Sequence, residues 1–311
     1  MVHTTTGSYI RKRVLVTGGT GFIGSHLVGR LFDEGAEVAL LVRRMSDLGS
    51  AQKALPNVTV HEVDIRSFGA VSAAVQSFRP EIVFHLAAVG VTDPFLSPTL
   101  ALRVNLDGTI NTVRAAATAG AKRIIHTGTS YEYGDLGHDG QLDPISPYAA
   151  SKAAAWAFCR MYHRTMGWPI VCLRLFQVYG PGQVGTLIPS AIDAGLKEQS
   201  FPTTRGEQIR DWIFIGDVVE AYLCAGLADD IEGETFDIGT GQGASVREVV
   251  ERIFAHFPKT VRPKIGALPY RPGEVWSLVA NPQPAAERLN WRATVSLAEG
   301  LVQTLEAHRA R

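Results

Sequence analysis

Short runs of consecutive apolar residues alternate with longer segments whose apolar positions recur at helical spacing, and this alternation fills the first half of the chain. The first run, Val14-Leu15-Val16, leads into a helical pattern, and a second strand is expected at 37–42. Next come a strand at 58–63, a helix around 70–78 and a buried-looking strand at 82–86. A long helix is expected over roughly 99–119, closed by Gly120. A strand at 123–127, a helix at about 148–166 and a strand at 170–175 complete the series. Apolar runs of this kind, separated by helices, predict strands buried on both faces of a parallel sheet.

From Tyr179 onward the pattern changes. Gly180, Pro181, Gly182, Pro189, Pro202, Pro263, Pro269 and Pro272 break the chain into shorter elements. The expected division is a sheet domain over 1–178, rejoined by a return segment at about 213–240, and a smaller lobe over 179–311. No internal repeat or low-complexity linker intervenes, so the lobe is expected to fold against the sheet and leave a cleft for a ligand.

The first strand runs into Thr17-Gly18-Gly19-Thr20-Gly21-Phe22-Ile23-Gly24. Gly18 permits a tight turn, Gly21 lets the backbone approach a pyrophosphate, and Gly24 lets the new helix pack closely on the strand. The helix N-terminus then faces the phosphates. A strand-to-helix turn that merely needs small residues would look similar. The position decides for a dinucleotide site, because Asp33, Gly35 and a second strand follow at the βαβ distance. The fold class is therefore α/β, a doubly wound parallel Rossmann sheet with a smaller C-terminal lobe.

Composition narrows the function. The chain of 311 residues can bury a substantial core. Thirty Lys and Arg balance thirty Asp and Glu, so no nucleic-acid surface is indicated. The three cysteines, Cys159, Cys172 and Cys224, form no close pair, which argues against a disulfide framework and a zinc site. The first thirteen residues lack the apolar core of a signal peptide, and no run is long enough to span a bilayer. A cytoplasmic enzyme is expected. The histidines, His126 and His138 included, lack metal-ligand spacing, and His138 is the one worth testing for a role beside the site.

Tyr148 and Lys152 stand four apart on an expected helix and share a face. An ammonium beside a phenol favours the phenolate, so a lowered tyrosine pKa is expected here. Such a tyrosine can exchange a proton with an alcohol or carbonyl oxygen while hydride moves on carbon. A solvated Tyr/Lys pair on an amphipathic helix has the same spacing. This pair, however, follows a dinucleotide-binding half and a strand end bearing Thr127, Gly128, Thr129 and Ser130.

These motifs together resemble the extended short-chain dehydrogenase/reductase family, in its nucleotide-sugar branch, over nearly the whole chain. The resemblance implies that Thr129 holds the substrate oxygen, that Tyr148 carries the proton, and that Lys152 tunes it and holds the nicotinamide ribose. It implies cofactor contacts from Gly18, Thr20, Gly21, Phe22, Ile23 and Gly24. Asp64 and Ile65 are expected at the adenine, and Leu86, Ala87 and Ala88 along the cofactor. Asn105 would support the same framework. Substrate contacts are implied for Ser130, Gln177, Leu187 and Phe201, with Arg210, Arg271 and Glu274 as the diphosphate clamp. Arg174, with Gln177 through Pro181, resembles the substrate-phosphate loop, and Asp211, Trp212 and Asp217 lie beside the clamp. A homodimer paired through the helices near 99–119 and 148–166 is also implied.

Three departures shape the expected activity. Arg43 and Arg44 follow the second strand where NAD-binding members commonly place an acidic residue; arginines attract a 2′-phosphate, so NADP is expected, with NAD as the alternative. The carboxylate that 4,6-dehydratases use arrives one residue late, as Glu132, and in an extended segment that shift aims it away unless a bulge intervenes. Gln177 stands where many epimerases have Asn. The activity expected is NADPH-dependent reduction of an NDP-4-keto-6-deoxyhexose, the alternative being a 4-epimerase. A 4,6-dehydratase and a non-catalytic NADP sensor rank lower.

Overall fold

The computed structural model describes residues 9–45, 58–91, 93, 95–135 and 141–310. His138 lies outside the described residues. Seven parallel strands form the main sheet in the order β10-β6-β5-β4-β1-β2-β3. They are β1 (Arg13–Thr17), β2 (Glu37–Val42), β3 (Thr59–Glu62), β4 (Ile82–His85), β5 (Arg123–Thr129), β6 (Ile170–Leu175) and β10 (Thr235–Ile238). Strands β4, β5 and β6 are buried at every position, which explains their apolar cores, Ile82–Phe84, Ile124–Ile125 and Ile170–Leu173. The order reverses beside β1, and the glycine turn leaves that strand at the switch point.

Helices cover both faces. On one, α1 (Phe22–Asp33) and α7 (Ile215–Leu227) bury Leu27, Leu31, Val218 and Tyr222. On the other lie α2 (Phe68–Phe78), α3 (Pro98–Ala101), α4 (Gly108–Thr118) and α5 (Pro147–Met166), with Val75, Val113 and Trp156 in the core. The single helix expected over 99–119 is interrupted by a π-helical segment, Leu102–Asp107, which contains the buried Asn105. A widened turn of this kind commonly marks a functional position, and here it turns Asn105 inward.

The lobe is built on β9 (Ile209–Phe214), which pairs with β7 (Gln177–Tyr179), β11 (Gly243–Ser245) and β13 (Ser277–Leu278). A second ladder joins β8 (Phe201–Pro202) to β12 (Pro263–Lys264). Helices α6 (Leu187–Leu196), α8 (Val246–Phe254), α9 (Gln283–Arg288) and α10 (Leu297–Arg309) pack around them. Their buried residues, Ile192, Val250 and Leu305 among them, belong to the same core as the α1 face of the sheet. Two buried carboxylates fix the loops. Asp211 accepts from the Thr240, Gly241 and Ala280 N–H groups, and Asp217 accepts from those of Thr294 and Val295. Both residues therefore brace the lobe from within rather than face a diphosphate.

Candidate active site

The glycine turn is tight for physical reasons visible atom by atom. Gly18 has φ +71°, and a Cβ there would lie 2.7 Å from the Ala87 nitrogen. A Cβ on Gly24 would collide with the Gly18 carbonyl, so α1 could not start against the strand. Gly21 is exposed at the helix N-cap, and no side chain caps the first turn, which leaves its N–H groups available to an anion. Thr20, Phe22 and Ile23 are half-buried beside them.

The segment after β4 is held in place by a chain of hydrogen bonds. The Thr17 hydroxyl receives the Ala87 N–H at 3.2 Å and meets His85 Nδ1 at 2.8 Å. His85 Nε2 meets the Thr109 hydroxyl at 2.9 Å, and that hydroxyl donates to the Asn105 carbonyl at 2.6 Å. The Asn105 amide accepts from Val89 N–H at 2.9 Å and donates to the Val89 carbonyl at 3.0 Å and the Ser151 hydroxyl at 2.9 Å. Its side chain thus ties the half-buried strip Leu86, Ala87, Ala88 and Val89 to the helix carrying Tyr148 and Lys152. His85 opens the strip that the resemblance places along the cofactor and Thr17 opens the glycine turn, but their common bonding with Thr109 is invisible without the fold. His85 is fully buried, and burial together with the Lys152 charge lowers its pKa from 6.5 to about 3.

At the other end of the cleft Asp64 is half-buried and pairs with Arg66 at 2.5 Å, which lowers its pKa. Ile65 is buried against Gly108, and its carbonyl accepts from Asn111 at 3.0 Å. Arg43 and Arg44 are exposed beyond β2, and Arg43 adds to the positive field on Asp64. No carboxylate occupies the end of β2 itself.

Thr129 ends β5, and Tyr148 and Lys152 rise from the first two turns of α5, all three buried. Ser146 caps that helix by accepting from Ala149 N–H at 3.2 Å. The Thr129 side chain interacts with the Tyr148 phenol and favours its ionised form. Lys152 is 1% exposed, and none of the hydrogen bonds or ion pairs among the described residues engages it. Burial lowers its pKa, partly opposed by the charge of Glu132. The expectation of a lowered tyrosine pKa fails in the ligand-free chain: burial first, then the Glu132 carboxylate, push the Tyr148 phenol well above its ordinary value, and only Thr129 opposes them.

Two predicted neighbours also have different surroundings from those expected. Glu132 is fully buried in the 3₁₀ turn Ser130–Tyr133, and its carboxylate accepts the Thr129 N–H at 2.8 Å and the Arg174 guanidinium at 3.0 Å. Arg174 is therefore paired inward and does not face a substrate phosphate. Ser130 is buried at the head of the same turn. In the lobe, Arg210 is buried and paired with Glu274 at 2.9 Å, with its guanidinium 6.0 Å from the Tyr131 ring centre. Gln177 lies 3.5 Å from the Tyr131 hydroxyl, Leu187 opens α6, Phe201 stacks 6.2 Å from Phe254, and Arg271 is exposed.

This arrangement is a hydroxyl, a phenol and an unengaged buried ammonium beside a phosphate-sized backbone cradle. The sequence matches the family described as GDP-mannose 4,6 dehydratase over residues 15–304. It is 33% identical to a UDP-glucose 4-epimerase of Mycolicibacterium smegmatis, across 96% of this chain and 98% of that one. A dTDP-glucose 4,6-dehydratase of Xanthomonas campestris is 29% identical over 94% and 92%. The structure of Thermus thermophilus UDP-glucose 4-epimerase in complex with NAD superposes with a TM-score of 0.83 at 31% identity, covering 96% of this chain and 99% of that one. The chain thus belongs to the extended short-chain dehydrogenase/reductase family, in its NAD-dependent nucleotide-sugar epimerase/dehydratase branch. No helix among the described residues is long and apolar enough to cross a membrane.

Proposed function

We propose that this protein transfers hydride at C4 of a nucleotide-diphosphate sugar, and that net reduction of an NDP-4-keto-6-deoxyhexose is its reaction. The observation that carries the reading is the Thr129–Tyr148 pair next to an unengaged Lys152, with the neighbouring carboxylate locked away from the cleft. Elimination of water across C5 and C6 needs a free carboxylate after the threonine. Glu132 is fully buried in its ion pair, which weighs against 4,6-dehydration.

The residues fit a nicotinamide dinucleotide. Gly18, Gly21 and Gly24 shape a cradle that a Cβ would fill, and the Lys152 side chain makes no hydrogen bond among the described residues. When bound, the cofactor supplies the hydride. The protein does the rest: Thr129 holds the sugar oxygen, Tyr148 gives its proton to that oxygen, and Lys152 holds the ribose and stabilises the phenolate left behind. A phenol kept protonated by burial and by Glu132 is the form that carbonyl reduction consumes, in a net reductase and in the returning half-reaction of an epimerase alike. Arg43 and Arg44 favour NADP over NAD. Arg210, Arg271 and Glu274 would grip the diphosphate and its nucleoside.

A second reading is a redox-neutral 4-epimerase using NAD, supported by the relatives of that description and by the NAD complex. Redox balance separates the two. With a 4-keto-6-deoxy NDP-sugar, one NADPH should be oxidised per alcohol formed; interconversion of two NDP-hexoses with no change in nicotinamide absorbance on any keto-sugar would establish the epimerase instead. We also infer a homodimer, because Leu100, Leu102, Phe158 and Met161 are exposed on the two helical segments expected to pair. Sedimentation at two concentrations tests it, and a persistent monomer would refute it.

A further inference from the structure

Arg174 reaches Glu132 across 42 residues of sequence, and the pair lies directly behind the candidate threonine. Its bonds form a closed set. The Arg174 Nε and Nη2 donate to Glu132 Oε2 at 3.3 and 3.0 Å, while Nη1 donates to the Tyr133 hydroxyl at 2.7 Å. That hydroxyl donates to Asp237 at 2.8 Å, and the guanidinium lies 4.5 Å over the Tyr133 ring. Asp237 in turn receives the Asn281 N–H of the lobe at 3.5 Å. The other carboxylate oxygen, Glu132 Oε1, takes the backbone N–H of Thr129.

Strand β5 makes room for this. A Cβ on Gly128 would lie 2.9 Å from Glu132 Oε1, 2.9 Å from the Cys172 sulfur and 3.5 Å from the Arg174 Cα. Any other residue at 128 would displace the carboxylate from the Thr129 amide. Burying an ion pair contributes little net stability compared with apolar packing of the same volume. Stability alone therefore gives a weak reason for placing a carboxylate, an arginine and a glycine together at this strand end. Position gives a better one, because the bonded amide belongs to the residue whose side chain meets Tyr148.

We propose, building on the C4-redox reading above, that Glu132 is a positioning residue: clamped by Arg174, its carboxylate fixes the Thr129 backbone and so sets the Thr129–Tyr148 interaction. Through Asp237 and Asn281 the same set of bonds ties that geometry to the lobe. The charge has a second effect. The groups facing Tyr148 are Glu132 and Tyr131 from the 3₁₀ turn, Thr129 from β5, Tyr222 from α7 and Lys152 on its own helix. Among them Glu132 is the carboxylate, and it opposes ionisation of the phenol.

Two substitutions separate position from charge. Glu132→Gln keeps an oxygen for the Thr129 amide; Glu132→Ala removes it. With the sugar that the wild type turns over, Glu132→Ala should lose about thirtyfold or more in kcat with KM within about threefold. Glu132→Gln should restore kcat to within about fivefold at neutral pH. Its alkaline limb in the kcat profile should move to lower pH, because the phenol ionises more easily without the carboxylate. Equal losses in both variants, a loss confined to KM, or an unmoved alkaline limb would each overturn the proposal.

Amide hydrogen exchange at Thr129 requires no substrate. Protection should persist in the wild type and Glu132→Gln and fall at least tenfold in Glu132→Ala; equal exchange in all three overturns the proposal. Absence of turnover on every sugar would sink the functional reading and leave the exchange test standing. Should the single variants fail to fold, Glu132→Gln/Arg174→Met removes the uncompensated charge and is read the same way.

Discussion

Two buried charged sites flank the end of β5, and they differ in one respect. Behind Thr129, Glu132 and Arg174 engage each other, Tyr133 and a backbone amide. Beside Thr129, Lys152 is as deeply buried, yet it takes part in none of the hydrogen bonds or ion pairs among the described residues. Burying a charge without a partner is costly. A closed set of bonds can be understood as architecture. An open one leaves its donor able to meet a ligand. The same distinction separates Arg210, paired with Glu274 at 2.9 Å, from the exposed Arg271, which makes no ion pair among the described residues.

The largest expected effect comes from the open side. Tyr148→Phe should reduce turnover on the order of a hundredfold or more, while cofactor affinity stays near that of the wild type, as measured by steady-state kinetics beside cofactor titration. Near-normal turnover would remove Tyr148 from the proton-transfer role and erase the contrast. Next is the closed framework behind the cofactor strip. Asn105→Ala leaves the Val89 N–H and carbonyl and the Ser151 hydroxyl without their partner, so denaturant unfolding should show a loss of about 2 kcal/mol. An unchanged midpoint would mean that water replaces the amide at no cost.

A smaller and more selective effect is expected at Arg43 and Arg44. Replacing both with neutral residues should weaken NADP binding about tenfold and NAD binding hardly at all. Equal losses, or a wild-type preference for NAD, would transfer support to the epimerase. A further effect is confined to acid pH. His85 has a folded pKa of about 3 against an ordinary 6.5, so the unfolded chain binds the extra proton between those values. The stability His85 contributes is complete above about pH 6.5 and falls as the pH drops toward 3, by up to about 1.4 kcal/mol per pH unit. His85→Gln should flatten that acid limb in thermal melts, and an identical slope would show that His85 is not the titrating group.

Much of the fold was legible because buried parallel strands such as 82–85 and 170–175 are apolar at all but one position, His85 in the first and Arg174 in the second. The glycine turn was legible because only glycine tolerates the contacts at Gly18 and Gly24. The π-helical segment was not, since widening a turn depends on what Asn105 finds at Val89 and Ser151, neither of them a sequence neighbour. The one-residue offset of Glu132 was visible, but its pairing with Arg174 was not, and Arg174 was misassigned to the phosphate loop for that reason. The tyrosine shift was misread because the Tyr148/Lys152 spacing carries no information about burial, the larger influence.

The central claim is that hydride moves at sugar C4 while C5 is left untouched, and isotope placement tests it most directly. With NADPH carrying deuterium on the transferred position and a 4-keto-6-deoxy NDP-sugar, mass spectrometry and NMR of the product should find one deuterium at C4 for each NADPH oxidised. Run in parallel in deuterated water with an NDP-hexose, the enzyme should leave C5 protiated. Deuterium at C5, with a 4-keto-6-deoxy sugar accumulating, would contradict the account and make the locked Glu132 an active acid after all.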